Sequence, residues 1–191
     1  MLKNFLASSL LAVVLSSALP VQADEAPMLE EARGIAAAIP PKLLGMLMDE
    51  LKKGGPEGAI AVCREKAPQM AREASEKYGW NIRRVSLKNR NPKAVPDAWE
   101  RVVLADFDKR AAAGENPVTL ERGEVVAEGN SKTYRYMKAL PTGELCLNCH
   151  GPSERMSPAV KARLSELYPE DKATGYAPGE IRGALTLKRP L

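Results

Sequence analysis

Apolar residues recur at three- and four-residue intervals through residues 25–53, the period that puts one face of an α-helix against a core. Pro40 and Pro41 interrupt this stretch, so the pattern predicts two helical pieces with a kink or break at the pair and an end at Gly54-Gly55. The second piece carries Leu43, Leu44, Leu47, Met48 and Leu51, a stripe suited to the chain's own core more than to a partner helix. A further helix is expected over residues 56–78, opening on Pro56 and closing before Gly79. Ile60, Cys63, Ala67, Met70, Ala74 and Tyr78 share its apolar spacing, which turns Cys63 inward. Pro68 removes the bond to the Arg64 carbonyl and should bend this helix one turn after the cysteine.

The period then changes. Residues 80–86 alternate as a weak strand, and the polar, proline-punctuated residues 87–96 read as a loop. Asp97 with Glu100 three positions later is a capping box in front of Trp99, Val102, Val103 and Phe107, predicting a helix that runs to about Ala113 and stops at Gly114. Three β-prone runs follow at 118–121, 124–128 and 132–139, separated by Arg122-Gly123 and Gly129-Asn130, and they predict a meander. Residues 157–167 read as a short helix with Pro158 first, 175–183 as a turn-rich segment and 184–188 as a last strand. Helices early and antiparallel strands late make an α+β layout.

The N-terminus changes the picture of where this domain works. Lys3, an apolar stretch over residues 5–19 and the small-x-small site Val21-Gln22-Ala23 read as a secretory signal peptide, residues 1–23, cleaved after Ala23. The stretch is shorter than the ~20 residues of a spanning helix, so no stable membrane span is expected after cleavage. Residues 24–191 then form one domain in the periplasm or an equivalent exported compartment. The net charge of +4 comes with interspersed acids, not with the clustered basic face of a nucleic-acid binder.

Chemistry concentrates at Cys146-Leu147-Asn148-Cys149-His150, which holds the chain's one histidine. C-x-x-C-H is the attachment pattern of a c-type haem, with two thiols for the porphyrin vinyl groups and an imidazole for the iron. A redox disulfide would use the same C-x-x-C without needing the histidine. One covalent haem c with His150 as proximal ligand is therefore the expected cofactor. With no second histidine, the opposite iron position falls to Met, Cys, Lys or nothing. Six methionines lie beyond the signal segment, Met28, Met46, Met48, Met70, Met137 and Met156, and methionine is also ordinary core filler. Cys63 is the odd thiol of three. It reads equally as a thiolate ligand or as a small buried hydrophobe, with an intermolecular disulfide as a third option.

Four blocks carry a resemblance: Ala59-Ile60-Ala61-Val62-Cys63-Arg64-Glu65-Lys66-Ala67-Pro68, Arg84-Val85-Ser86-Leu87-Lys88-Asn89-Arg90-Asn91-Pro92, Cys146-Leu147-Asn148-Cys149-His150-Gly151, and residues 175–184. In this order, over nearly the whole exported chain, the sequence resembles the single-haem c-type domains with a PAS-like core. These occur as stand-alone periplasmic cytochromes and as extracytoplasmic sensor parts of signalling proteins. The resemblance implies a PAS-like antiparallel sheet flanked by N-terminal helices, and places Cys63 where the family carries a cysteine facing the haem, hence as distal ligand. One departure is Lys93-Ala94, where the family often has Asn. Arg90 is expected either to pair with a propionate or to hold its loop through backbone carbonyls; Arg84, Tyr176 and Arg182 are candidate haem contacts on the same terms.

Three functions compete on these residues. A six-coordinate iron held on both faces suits electron transfer or redox buffering with a separate redox partner protein. A haem sensor of redox state or of a diatomic gas would also need a separate partner protein, since the sequence carries no output module. A thiol-disulfide oxidoreductase would use Cys146 and Cys149 alone. No catalytic constellation is evident, because the sole histidine is committed to the proximal side. Mass spectrometry of the exported protein is expected to find its N-terminus at Asp24; an intact Met1 would contradict the signal-peptide reading.

Overall fold

Alternating residues on the last strand sort themselves to two faces. Leu185 and Leu187 face one way and Ala184 and Thr186 the other, and both faces are buried, so helices must cover the sheet on each side. The structure, a computed structural model, describes residues 25–191; the signal segment and its cleavage site lie outside the described residues. The elements are α1 (Glu25–Ala61), a π-turn (Val62–Lys66), α2 (Ala67–Tyr78), β1 (Asn81–Val85), α3 (Ala98–Ala112), β2 (Glu121–Glu128), β3 (Ser131–Pro141), α4 (Leu147–His150), α5 (Pro158–Leu167) and β4 (Ile181–Pro190). The four strands form one antiparallel sheet in the order β1-β4-β3-β2. The α+β expectation holds.

One face carries Ile82, Leu185, Leu187, Tyr134 and Tyr136, covered by Ala32, Ile35 and Ala36 of α1, Ala74 of α2, and Trp80. The other carries Val85, Ala184, Met137 and Ala139 under Val103, Leu104 and Phe107 of α3. A third, smaller cluster joins Ile60 to Met156, Val160 and Leu164, with Cys149 packed against it.

Several boundaries depart from the sequence pattern, each for a physical reason. Pro40 and Pro41 sit inside α1 without breaking it, while the break falls at Gly55, where the second piece was expected to end; its φ of 65° and ψ of −168° are the stretch's only non-helical values. The fixed φ of proline is itself helical, so the pair costs backbone hydrogen bonds without forcing a dihedral out of the helix. Gly55 leaves the helix at a positive φ that glycine adopts freely. Arg122-Gly123 is no strand break: both lie within β2, where a Cβ on Gly123 would stand 2.7 Å from the Tyr134 hydroxyl and 3.0 Å from Leu29. Val118 lies in a turn closed by Thr119 N–H on the Asn116 carbonyl, so the meander has two strands where three were expected. The last strand begins at Ile181, inside the segment read as turns. Val102, among the apolar residues that follow the capping box, is 69% exposed.

Before Pro68 the helix widens, where a bend was expected. Ala67 N–H bonds to the Val62 carbonyl, five residues back, so one extra residue is taken into the turn that Pro68 cannot close. That widening breaks the 3.6-residue period around Cys63. Cys63 is exposed, not turned into the core with Ile60.

The capping box at Asp97 and Glu100 is present in both directions. Glu100 does more than cap. It is 1% exposed and accepts from Arg83, the Asp97 amide and Thr186, with Arg135 alongside, tying α3 to β1, β3 and β4. Glu100→Ala would remove the carboxylate that Arg83, Arg135 and Thr186 share, while Arg135 keeps Asp97 and Arg83 keeps the Val95 carbonyl, and is expected to cost about 1.5–3 kcal/mol. Urea unfolding measures this; a loss below ~1 kcal/mol would sink the assignment.

Candidate functional site

The register of β4 against β3 shifts at Leu140/Pro141, beside Gly183. Its φ is 150°, and a Cβ there would stand 2.3 Å from the Val85 carbonyl, so only glycine lets the end of β1 and the start of β4 approach this closely. The approach joins Arg182 to Ser86: Arg182 Nη1 donates to Ser86 Oγ (3.0 Å), and the Arg182 carbonyl is 2.9 Å from the same hydroxyl. Arg84, two residues upstream of Ser86, lies on the same face of the sheet as Ile82.

The C-x-x-C-H segment is a 3₁₀ turn (Glu144–Cys146) running into α4. Gly151 ends it, with the Leu147 carbonyl 2.7 Å from where a Cβ would be. Residues 173–176 then run alongside and grip the motif, with Tyr176 N–H on the His150 carbonyl (2.9 Å) and Gly175 N–H on the Gly151 carbonyl (2.8 Å).

His150 is fixed at both ends. Its Nδ1 lies 2.7 Å from the Ala173 carbonyl, an acceptor, so Nδ1 carries the proton and Nε2 keeps its lone pair. That is the tautomer an Nε2 metal ligand requires. Arg182 Nε stands 3.1 Å from Nδ1 and 3.5 Å from Nε2; since Nδ1 is the donor to Ala173, this is a near approach to the ring and not a bond to that atom. The Tyr176 ring meets the imidazole edge-on, with centroids 6.4 Å apart at 88°. Burial, then Arg182 and Arg90, push the His150 pKa down to about 2, so the ring is neutral at neutral pH.

Of the expected site residues, Arg90 has the clearest role. Its Nε and Nη2 bond Asp171 at 2.9 Å, and Nη2 also donates to the carbonyls of Cys149 and Ala173. Arg90 contacts backbone carbonyls and so clamps the motif to the 171–173 segment. Lys88, which the sequence reading passed over, donates to the Thr174 carbonyl (2.8 Å) and lies 4.4 Å over the Tyr176 ring. Ser86 and Lys88 stand inside the block that carried the resemblance; Asp171 has no local sequence signal.

Cys63 opens onto this cluster from the π-turn. Solvent reaches it, yet enough protein surrounds it that burial pushes the thiol pKa up, against the pull of Arg84, Arg90 and Arg182. Cys149, against Ile60, is pushed up to about 11, chiefly by burial, which opposes the lowered pKa of a reactive C-x-x-C thiol. Met137, Met28 and Met156 are engaged in the three packing clusters, and Met46 and Met48 are exposed.

Arg84 is the energetic anomaly. Its Nε is buried without a hydrogen-bond partner, and burial lowers its pKa while the charges of Cys63, Cys146 and Tyr176 pull the other way. A buried guanidinium without an anion costs several kcal/mol. The residues present therefore fit a c-type haem: two thiols on one short helical turn, an imidazole of the right tautomer, and unspent positive charge. A cleft of about 610 Å³ adjoins the site beyond Lys88 and Tyr176, between the end of α3 and residues 176–183.

The profile of the Tll0287-like family matches residues 8–190. Among solved structures, that titled "Crystal structure of the cyanobacterial heme-protein Tll0287" is similar with a TM-score of 0.65 at 25% identity, over 86% of this chain and 95% of that one. No curated protein matches. With the family profile spanning nearly every residue, site and sheet included, this chain belongs to the Tll0287-like family.

Proposed function

We propose that this chain is an exported single-haem c-type protein of PAS-like architecture that moves or buffers single electrons for a separate redox protein. The haem is bonded through Cys146 and Cys149, with His150 and Cys63 as axial ligands. The observation that carries this reading is His150, whose Nδ1 bond to Ala173 reserves Nε2 for iron. The heme-protein title of the structural match supports the cofactor. A haem so bonded supplies an iron that takes up and gives back one electron. The protein's own part is to hold the imidazole rigid through Ala173 and Tyr176, to present the Cys63 thiol from the π-turn, and to surround both with Arg84, Arg90 and Arg182. Two side-chain ligands from the chain itself would leave no iron position for a substrate, so we assign it no enzymatic activity.

A second reading, a haem sensor of redox state or of a diatomic gas, is favoured by one feature. Cys63 stands on a widened turn within reach of solvent, where a ligand can leave more readily than from a packed helix. Carbon monoxide binding rapidly to the reduced protein would favour this reading, and slow or absent binding the first.

Expressed with a haem-attachment system, the protein is expected to be red and to keep its colour through acid–acetone extraction. Cys146→Ser with Cys149→Ser should abolish this. Cys63→Ala should convert the ferric paramagnetic resonance signal from low-spin thiolate to another ligand set. A colourless protein with a Cys146–Cys149 disulfide would overturn the proposal in favour of thiol chemistry; an unchanged signal in Cys63→Ala would assign the distal position to Met or Lys.

A further inference from the structure

We propose that Asp171 is the positioning residue of the proximal face: its carboxylate holds the carbonyl that takes the His150 Nδ1 proton, and so sets how strongly the imidazole donates to iron. This rests on the reading of His150 as an axial ligand. The two oxygens of Asp171 are spent differently. Oδ1 accepts from the Ala173 amide at 2.8 Å, an Asx turn of the side chain onto its own backbone. Oδ2 accepts from Arg90 Nε and Nη2, each at 2.9 Å. Arg90 Nη2 then reaches back to the Ala173 carbonyl at 3.3 Å and to the carbonyl of Cys149. Ala173 is thus held at its N–H by Asp171 directly, and at its C=O by Asp171 through Arg90.

That carbonyl is what His150 meets. Nδ1 stands 2.7 Å from it, and Arg182, near the same nitrogen at 3.1 Å, carries donors only and cannot take its proton. A stronger Nδ1–H bond makes Nε2 a stronger donor to a metal, and hydrogen bonds weaken steeply with misalignment. A loosely held carbonyl could therefore set nothing. The amides of Asp171, Lys172 and Ala173 are all bonded, to the Tyr168 carbonyl, the Asn89 carbonyl and the Asp171 carboxylate. The first two bonds are backbone to backbone; only the third, at the residue facing His150, needs a particular side chain. Ala173 is fully buried, and the side chains of Asp171 and Arg90 are 12% and 10% exposed, so their charge-assisted bonds are little screened.

The test uses the haem-loaded protein with its histidine labelled with nitrogen-15; the chain's one histidine gives a single imidazole to follow by magnetic resonance. Asp171→Asn keeps an oxygen for the Ala173 amide and removes the charge, whereas Asp171→Ala removes both. In the reduced protein, exchange of the His150 Nδ1 proton with deuterated solvent is expected to be about tenfold faster in Asp171→Ala than in Asp171→Asn, which stays near wild type. At the wild-type midpoint potential, the reduced-to-oxidised ratio is expected to be about threefold higher in Asp171→Ala than in Asp171→Asn, because a weaker donor stabilises ferric iron less. Equal exchange and equal ratios in the two variants would overturn the proposal and leave Asp171 a charge alone. Wild-type exchange in Asp171→Ala would overturn it as well. Should Asp171→Ala fail to mature, Asp171→Leu, which keeps the branched shape without the acceptor, carries the same comparison. Failure of the underlying reading is distinguishable: if His150 is no iron ligand, its ring nitrogens keep diamagnetic positions in the ferric wild type, whatever the Asp171 variants show.

Discussion

Positive charge gathers at one end of the sheet, and the rest of the site is arranged around it. Arg84, Arg90, Arg182 and Lys88 converge on the C-x-x-C-H turn, and among the described residues the one acid bonded to any of them is Asp171, on Arg90. Charge of one sign in a low-dielectric pocket repels itself, which shows in Arg182, pushed down to about 9 chiefly by burial and then by Arg84. Burial, with the same field behind it, keeps His150 neutral. The field also opposes, without overcoming, the burial that holds Cys63 as a thiol. One arrangement of cations thus disfavours protonation of the imidazole and favours ionisation of the thiol, the two forms that bind iron.

Two departures from regular backbone let a sheet and a helix meet at this charge. Gly183 admits the Val85 carbonyl, bringing Arg182 against Ser86. The π-turn before Pro68 takes in one extra residue and swings Cys63 out of the core stripe. Neither is a local preference that the tertiary structure merely tolerates, since Pro68 cannot donate to Arg64 whatever packs around it. The helix keeps its course by widening once, and the widened turn is where the thiol is presented.

Parts of this were legible in the sequence because they depend on neighbours in the chain. The capping box at Asp97 reads directly, since both halves lie within four residues. So do Pro158 at the start of α5 and the Gly129-Asn130 hairpin turn. The haem motif is equally local. What could not be read depends on partners distant in the chain. Gly123 looked like a strand break because the crowding that requires a glycine comes from Tyr134 and Leu29. Cys63 looked inward because a helical period assumes one residue count per turn, and the π-turn changes that count. The clamp of Arg90 on Asp171 spans 81 residues, and a lone aspartate in a polar stretch gives no sign of it.

These distances make the occupant of the site a folding partner as much as a cofactor. Segments near residues 63, 84–90, 146–150 and 171–182 supply the groups, and without an anion they bring like charges together. A cation whose folded pKa lies below its unfolded value costs folding free energy while it stays charged. For Arg182 that cost is full below about pH 9 and eases as the pH rises further. A group that brings negative charge to this end removes the cost only in the folded state, and so stabilises that state by linkage. Covalent attachment, as proposed, would fit this logic: a bonded haem could not be diluted away, and the relief of repulsion would become a permanent part of the fold.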